Sequence, residues 1–120
     1  MYKLLLFVRR KSGLTWDEFS THWRDVHGPI VTASPEMMRH VVYYVQHHAR
    51  PNPRGGEGYD GVAEIAFRSK EAAKAFFAEP IYTERLKPDE ATFLDTDGVT
   101  TLVVDDLMFA GTYAPGLEAG

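Results

Sequence analysis

Three side chains in this 120-residue sequence pair proton-transfer chemistry with positions that bring them toward one wall: His27, Tyr44 and Glu64. His27 ends a helical stretch just before Gly28-Pro29, and an imidazole titrating near pH 6.5 suits acid–base work at neutral pH. Trp23, one turn earlier, and Val26 hold this end of the helix against the sheet. A helix C-terminus also favours an imidazolium, so a purely electrostatic role competes with a catalytic one. Tyr44 shares the less apolar face of an extended run with His40 and Gln46. Glu64 alternates with Ile65 in another strand, where a carboxylate must be paired, solvated or set in a pocket. Arg39 and Arg68 are its alternative ionic partners. Tyr82 lies in the segment FFAEPIY. The catalytic candidates are therefore His27, Tyr44 and Glu64. Trp23, His40, Gln46 and Tyr82 are candidates to line a substrate.

Other constellations carry less. His47 and His48 are adjacent and point to opposite faces of a strand. His22 and His27 are five apart, off the i, i+4 spacing of paired ligands on an α-helix. Cysteine is absent, which removes disulfides, thiolate metal sites and a cysteine nucleophile together. With no Walker loop, GxGxxG or GxSxG either, the expectation is no metal and no cofactor. Asp89 and Glu90 suit the first turn of a helix and read as structural.

The elements that must position these residues are set by hydrophobic periodicity. Met1 to Arg10 is a strand, apolar on both faces. A capping box, Thr15 with Glu18, opens a helix whose buried stripe is Trp16, Phe19, Trp23 and Val26, and Gly28-Pro29 stops it after His27. A short helical stretch at 30–34 is limited by Pro35. The next strand is Arg39 to His48, with Val41, Tyr43 and Val45 on one face. The run ARPNPRGGEGY at 49–59 is a loop. Asp60 to Phe67 is a strand, and Ser69 caps a helix burying Ala72, Ala73, Phe76 and Phe77. Pro80 breaks that helix, a shorter one runs to Leu86, and Asp89 to Phe93 forms another turn. Val99 to Phe109 is the last strand. Two β-α-β halves make an α+β fold, the ferredoxin-like four-stranded antiparallel sheet with helices on one face.

The uncovered face of that sheet should be polar, yet both parities of the first strand carry apolar side chains. Such a surface marks an interface, and a homodimer packed sheet to sheet covers it. A loop at 49–59 folded over a monomeric sheet is the simpler alternative. The composition is ordinary for a globular domain, with 44% hydrophobic and 25% charged residues and a net charge of −4. That charge argues against nucleic acid as partner, and the apolar runs are far short of a membrane span. The expectation is a cytoplasmic protein with one domain over residues 1–110 and a flexible tail over 111–120.

Three segments carry a family likeness: KLLLFVRRKSGLTWDEFSTHWRDVHGP, YDGVAEIAF and KPDEATFLD. Together they resemble the EthD family of dimeric α+β barrel proteins, from about Tyr2 to Phe109. The resemblance implies the ferredoxin-like fold and a barrel formed by two sheets. Relatives in the superfamily include muconolactone-type isomerases, polyketide cyclases, cofactor-free monooxygenases and haem enzymes. His27 matches the histidine of the family's "H.P" motif, which related isomerases use to touch substrate. Around Pro80 some cyclases of the superfamily carry a histidine, and this chain has none there. The resemblance thus implies a small cofactor-independent enzyme for an apolar, aromatic or polyketide-like organic molecule, working by isomerisation, cyclisation or dehydration. The alternative is a non-catalytic accessory or ligand-binding protein of a degradation or biosynthetic cluster.

Overall fold

The computed structural model describes residues 1–50 and 58–112. The expected loop at 49–59 falls largely outside the described residues, as does most of the expected tail. Four strands, β1 (Tyr2–Val8), β2 (Val41–His48), β3 (Gly61–Phe67) and β4 (Thr100–Val104), form one antiparallel sheet in the order β2-β3-β1-β4. This is the ferredoxin-like arrangement read from the two β-α-β halves. The helices lie on one face.

Thr15 caps α1 (Trp16–His22) through the expected reciprocal pair with Glu18. Gly28-Pro29 does not stop that helix. It widens into a π turn, Trp23–His27, and runs on as α2 (Gly28–Thr32). The Gly28 N–H bonds back to the Trp23 carbonyl, five residues earlier, and Pro29 then sits in the first turn of α2, where its missing N–H costs nothing. The wider turn also changes the buried stripe. Phe19, Trp23 and His27 face inward, while Val26, expected inside, is 46% exposed.

Ser34 caps α3 (Pro35–Met38) ahead of β2, which ends the first half. The second half repeats the device. Ser69 caps α4 (Lys70–Ala78), which buries Ala73 and Phe76 and half-buries Ala72 and Phe77. A second π turn, Tyr82–Leu86, leads into α5 (Lys87–Phe93), with Pro88 in its first turn. β4 is shorter than expected, ending at Val104 before the acidic pair Asp105-Asp106. Asp106 instead ties back to Lys3 of β1 at 2.5 Å.

Register settles which side chains meet the helices. Leu4 pairs with Ile65 and Ile65 with Tyr44, whereas Leu5 pairs with Glu64 and Glu64 with Val45. The core between sheet and helices has two parts. One gathers Met37, Phe67, Phe76 and Leu86, the other Phe19, Trp23, Ala63 and Phe93, and both Leu6 and Tyr44 pack against the two. A register shift between Val41 and Tyr43 turns Val41 to the helix side opposite Phe67, so it does not share the face of Tyr43.

Candidate active site

The π turn carries His27 to the junction of α1 and α5. The ring is buried, and its Nδ1 lies 2.8 Å from Oδ2 of Asp89 on α5. His22 approaches the same carboxylate through Nε2, at 2.9 and 3.1 Å from the two oxygens. The five-residue spacing that is wrong for an α-helix is the period of a π turn, and it lets both imidazoles reach one acid. Phe93, one turn beyond Asp89, lies against both rings at centroid separations of 4.8 and 4.9 Å.

This arrangement sets the state of His27. Burial pushes its pKa down, only partly offset by the hydrogen bond and charge of Asp89, and His22 adds to the depression. The ring is therefore neutral near pH 7, with Nδ1–H donated to Asp89 and the Nε2 lone pair unused by any described residue. Neutral imidazole with an oriented tautomer is the form that accepts a proton. Among the described residues no three His, Asp or Glu side chains are grouped as they would be around a metal ion.

A second polar chain runs along β2 under the helices. Ser20 Oγ is 2.6 Å from His48 Nδ1, His48 Nε2 is 2.9 Å from Gln46 Oε1, and Gln46 Nε2 donates to the Tyr44 hydroxyl at 2.8 Å. Burial pushes His48 down, so it is neutral and each link has one donor and one acceptor. Tyr44 accepts at the end of this chain and keeps its own O–H to donate. Gln46 also donates to the Trp23 carbonyl at 2.9 Å. Two glycines make room for this packing. A Cβ on Gly28 would stand 2.8 Å from Gln46 Nε2, and one on Gly61 would stand 2.5 Å from the Trp23 ring.

Of the residues singled out from sequence, Trp23, Gln46 and Tyr44 come together on the helix side, and His27 closes the π turn that Trp23 opens. Trp23 is enclosed at 2% exposure, so it supports the site from within the core. Tyr82 half-faces the same interior, its ring edge-on to Phe77. Two candidates lie elsewhere. His40 precedes β2 and shares Glu79 with Arg39. Glu64 is on the opposite face of the sheet, so it cannot share a wall with His27 and Tyr44. There it accepts from Tyr43 at 2.6 Å and His47 at 2.9 Å and pairs with Lys3 at 3.0 Å. Burial alone would raise its pKa, but these three partners outweigh it and hold the carboxyl at about 2. The salt bridge considered for it, with Arg39 or Arg68, is thus made by Lys3.

The residues that sequence reasoning undervalued are on α5. Asp89 orients His27 from 62 positions away in the chain. Beside it, Glu90 is half-buried and pushed up to about 7 by burial, with Asp89 adding to the rise and Lys87 opposing it. On the outer surface, a groove of about 570 Å³ lined by Leu14, Thr21, Val26 and Thr92 reaches this centre at His22 and Phe93.

The EthD domain model matches residues 11–97, most of the chain. The chain belongs to the EthD family. The likeness extends to solved structures. An EthD family protein from Bacillus halodurans is 13% identical, with 89% of this chain and 100% of that one covered at a TM-score of 0.67. HapK from Hahella chejuensis is 15% identical over 95% of this chain and 99% of its own, with a TM-score of 0.66. A protein from Bacteroides fragilis, described as dimeric and ferredoxin-like, is 12% identical over 86% and 93%, with a TM-score of 0.64. At these identities the solved structures share the fold with this chain. No curated protein matches the sequence. No helix among the described residues is long and apolar enough to cross a membrane.

Proposed function

We propose that this EthD protein is a cofactor-independent enzyme that moves a proton on an apolar, aromatic or polyketide-like molecule, by isomerisation, cyclisation or dehydration. The reading is carried by the buried His27–Asp89 pair, 2.8 Å apart, which leaves a neutral Nε2 as acceptor. His27 is the acid–base group, Asp89 holds its tautomer, and Tyr44 supplies a hydroxyl donor fixed by Gln46. Phe93 lies against the His27 ring and gives one aromatic wall beside it. Glu64 has no part in this chemistry.

The test is turnover of candidate substrates from the gene neighbourhood by wild type, His27→Ala and His27→Gln. Losses of about 10²–10⁴-fold in both variants, with the fold intact, support the reading. Near-normal turnover by folded His27→Gln removes His27 as acid–base group. Binding without turnover of any candidate favours the accessory, ligand-binding alternative.

The working form we propose is a homodimer joined through the open sheet face. That face carries Leu5, Phe7, Val45, Val62 and Leu102, and Val45 and Leu102 remain 38% and 46% exposed in the single chain. Sedimentation equilibrium at micromolar concentration should report twice the 13.5 kDa chain mass, and monomers alone would overturn it.

A further inference from the structure

We propose that the groove between α4 and β1 is a binding site for an apolar molecule that carries one carboxylate, such as a medium-chain fatty acid. The groove shares no side chain with the His27–Asp89 pair, and its occupancy does not depend on proton transfer there.

The α4 wall of the groove is one helical stripe. Lys70, Ala73, Lys74, Phe77 and Ala78 follow the i, i+3, i+4, i+7, i+8 spacing of a single face. Tyr2 and Leu4 of β1 form the opposite wall. The space between them is about 400 Å³, within the range of pockets that hold small organic molecules. Phe77 is braced edge-on by Phe76 and by Tyr82, each with a centroid separation of 5.1 Å, so its ring does not fold into the space. On the edge strand β4, Val103 stands directly opposite Leu4 and is 58% exposed. Cross-strand partners share a face, so the apolar surface continues beyond the groove onto β4.

The charged groups of the groove select the ligand. Lys70 and Lys74 are the charged side chains that line it, and neither has a hydrogen bond or ion pair with any described residue. Glu71 falls off the stripe, and no carboxylate lines the groove. Two like charges at i, i+4 repel, and a lysine in the first position of α4 opposes the partial positive charge of the helix start. Both placements lower helix stability, so the fold alone does not call for them. A carboxylate set between the two ammonium groups removes the repulsion, and the chain attached to it covers Ala73, Phe77 and Leu4. A cationic or purely polar molecule gains neither contact.

Titration of the full chain with octanoate, followed in amide ¹H–¹⁵N spectra, tests this. Octanoate should shift the amides of α4 and of Tyr2 to Leu4, and should bind about tenfold or more tightly than octylammonium, which has the same chain and the opposite charge. Lys70→Gln combined with Lys74→Gln should weaken octanoate about fivefold or more without weakening octylammonium. Ala78 is exposed, so Ala78→Phe should fill the groove and abolish octanoate binding while the protein melts like wild type. No saturable binding, shifts centred elsewhere, or octanoate affinity that stays within about twofold in both variants overturns the site. Equal binding of octanoate and octylammonium refutes the charge selection and with it the ligand class. Sedimentation in which octanoate separates a dimer assigns the groove to a second copy of the chain, and the proposal falls. None of these outcomes bears on the reading of His27.

Discussion

His27 and Asp89 are 62 residues apart in the chain and 2.8 Å apart in the fold. The imidazole belongs to the first β-α-β half and the carboxylate to the second, so the ring is held in this orientation only when the two halves are packed. The same bond keeps part of the basicity that burial removes.

Asp89→Asn tests that dependence. Without the carboxylate, burial acts on His27 unopposed, and its pKa should fall further. Proton NMR of the imidazole Cε1–H should show the titration displaced to lower pH. The limb of any rate profile governed by imidazole protonation should move the same way, with a loss on the order of 10²-fold or more in turnover. Two histidines lose a hydrogen-bond partner, so stability should fall by about 1–3 kcal/mol. A His27 titration that stays in place would mean that Asp89 does not act on it.

Glu90→Gln should make the protein more stable in alkali than in acid relative to wild type. The folded carboxyl is raised from 4.5 to about 7, so the wild type has its full stability below pH 4.5 and loses some as pH rises through 7. Discounted for partial exposure, the loss is about 1–2 kcal/mol. Thermal melts at pH 8 should therefore favour Glu90→Gln, and melts at pH 4 should show little difference. A variant less stable than wild type at pH 8 would contradict the unpaired state of this carboxyl.

Glu64 has the opposite sign. Its folded pKa is depressed from 4.5 to about 2, so its contribution is complete above pH 4.5 and disappears as pH falls toward 2. Solvent at the sheet face screens the interaction, which limits the contribution to about 1–2 kcal/mol. Melts of wild type should decline across that window more steeply than melts of Glu64→Gln. Turnover by Glu64→Gln should stay within about twofold of wild type, because the side chain faces away from His27.

Gly28→Ala sets two effects of similar size against each other. The added Cβ meets Gln46 Nε2 at 2.8 Å, and the flexible amide must move, releasing Tyr44. A lost hydrogen bond of this kind costs about 1 kcal/mol, and alanine regains about as much helix propensity. Stability should change by less than about 1 kcal/mol. The Tyr44 phenol, relieved of a donor that lowers its pKa, should titrate higher in an ultraviolet titration. A fall in that titration would show that Gln46 does not hold the hydroxyl.

Features written in neighbouring residues were legible from the sequence. The capping box at Thr15 and Glu18, the cap at Ser69 and the strand–helix order all appear where expected, and with them the sheet. His27 stood out because imidazole before Gly-Pro is conspicuous. Features that depend on register or on distant pairing were hidden. Tyr44 and Glu64 fall on opposite faces because Tyr44 aligns with Ile65, which no single strand's alternation reveals. The π turn replaces Val26 by His27 on the inner face, contrary to a 3.6-residue period. Asp89 and Glu90 looked like ordinary first-turn acids, since nothing in the α5 sequence refers to histidines in α1. The one hint was the five-residue spacing of His22 and His27, which α-helical geometry discards.

A π turn holds one residue more than the α-helical turn it replaces, and each half of this molecule carries one, with a proline two positions after its last residue. The wide turn therefore absorbs its extra residue without turning the helix beyond it. Losing one residue from 24–26 would close it to an ordinary helix, in which four residues sweep about 400°, and would leave α2 facing nearly the same way. His22 and the histidine after it would then sit four apart, still on one face. In a helix without such a turn the same deletion would swing everything beyond it by about 100°.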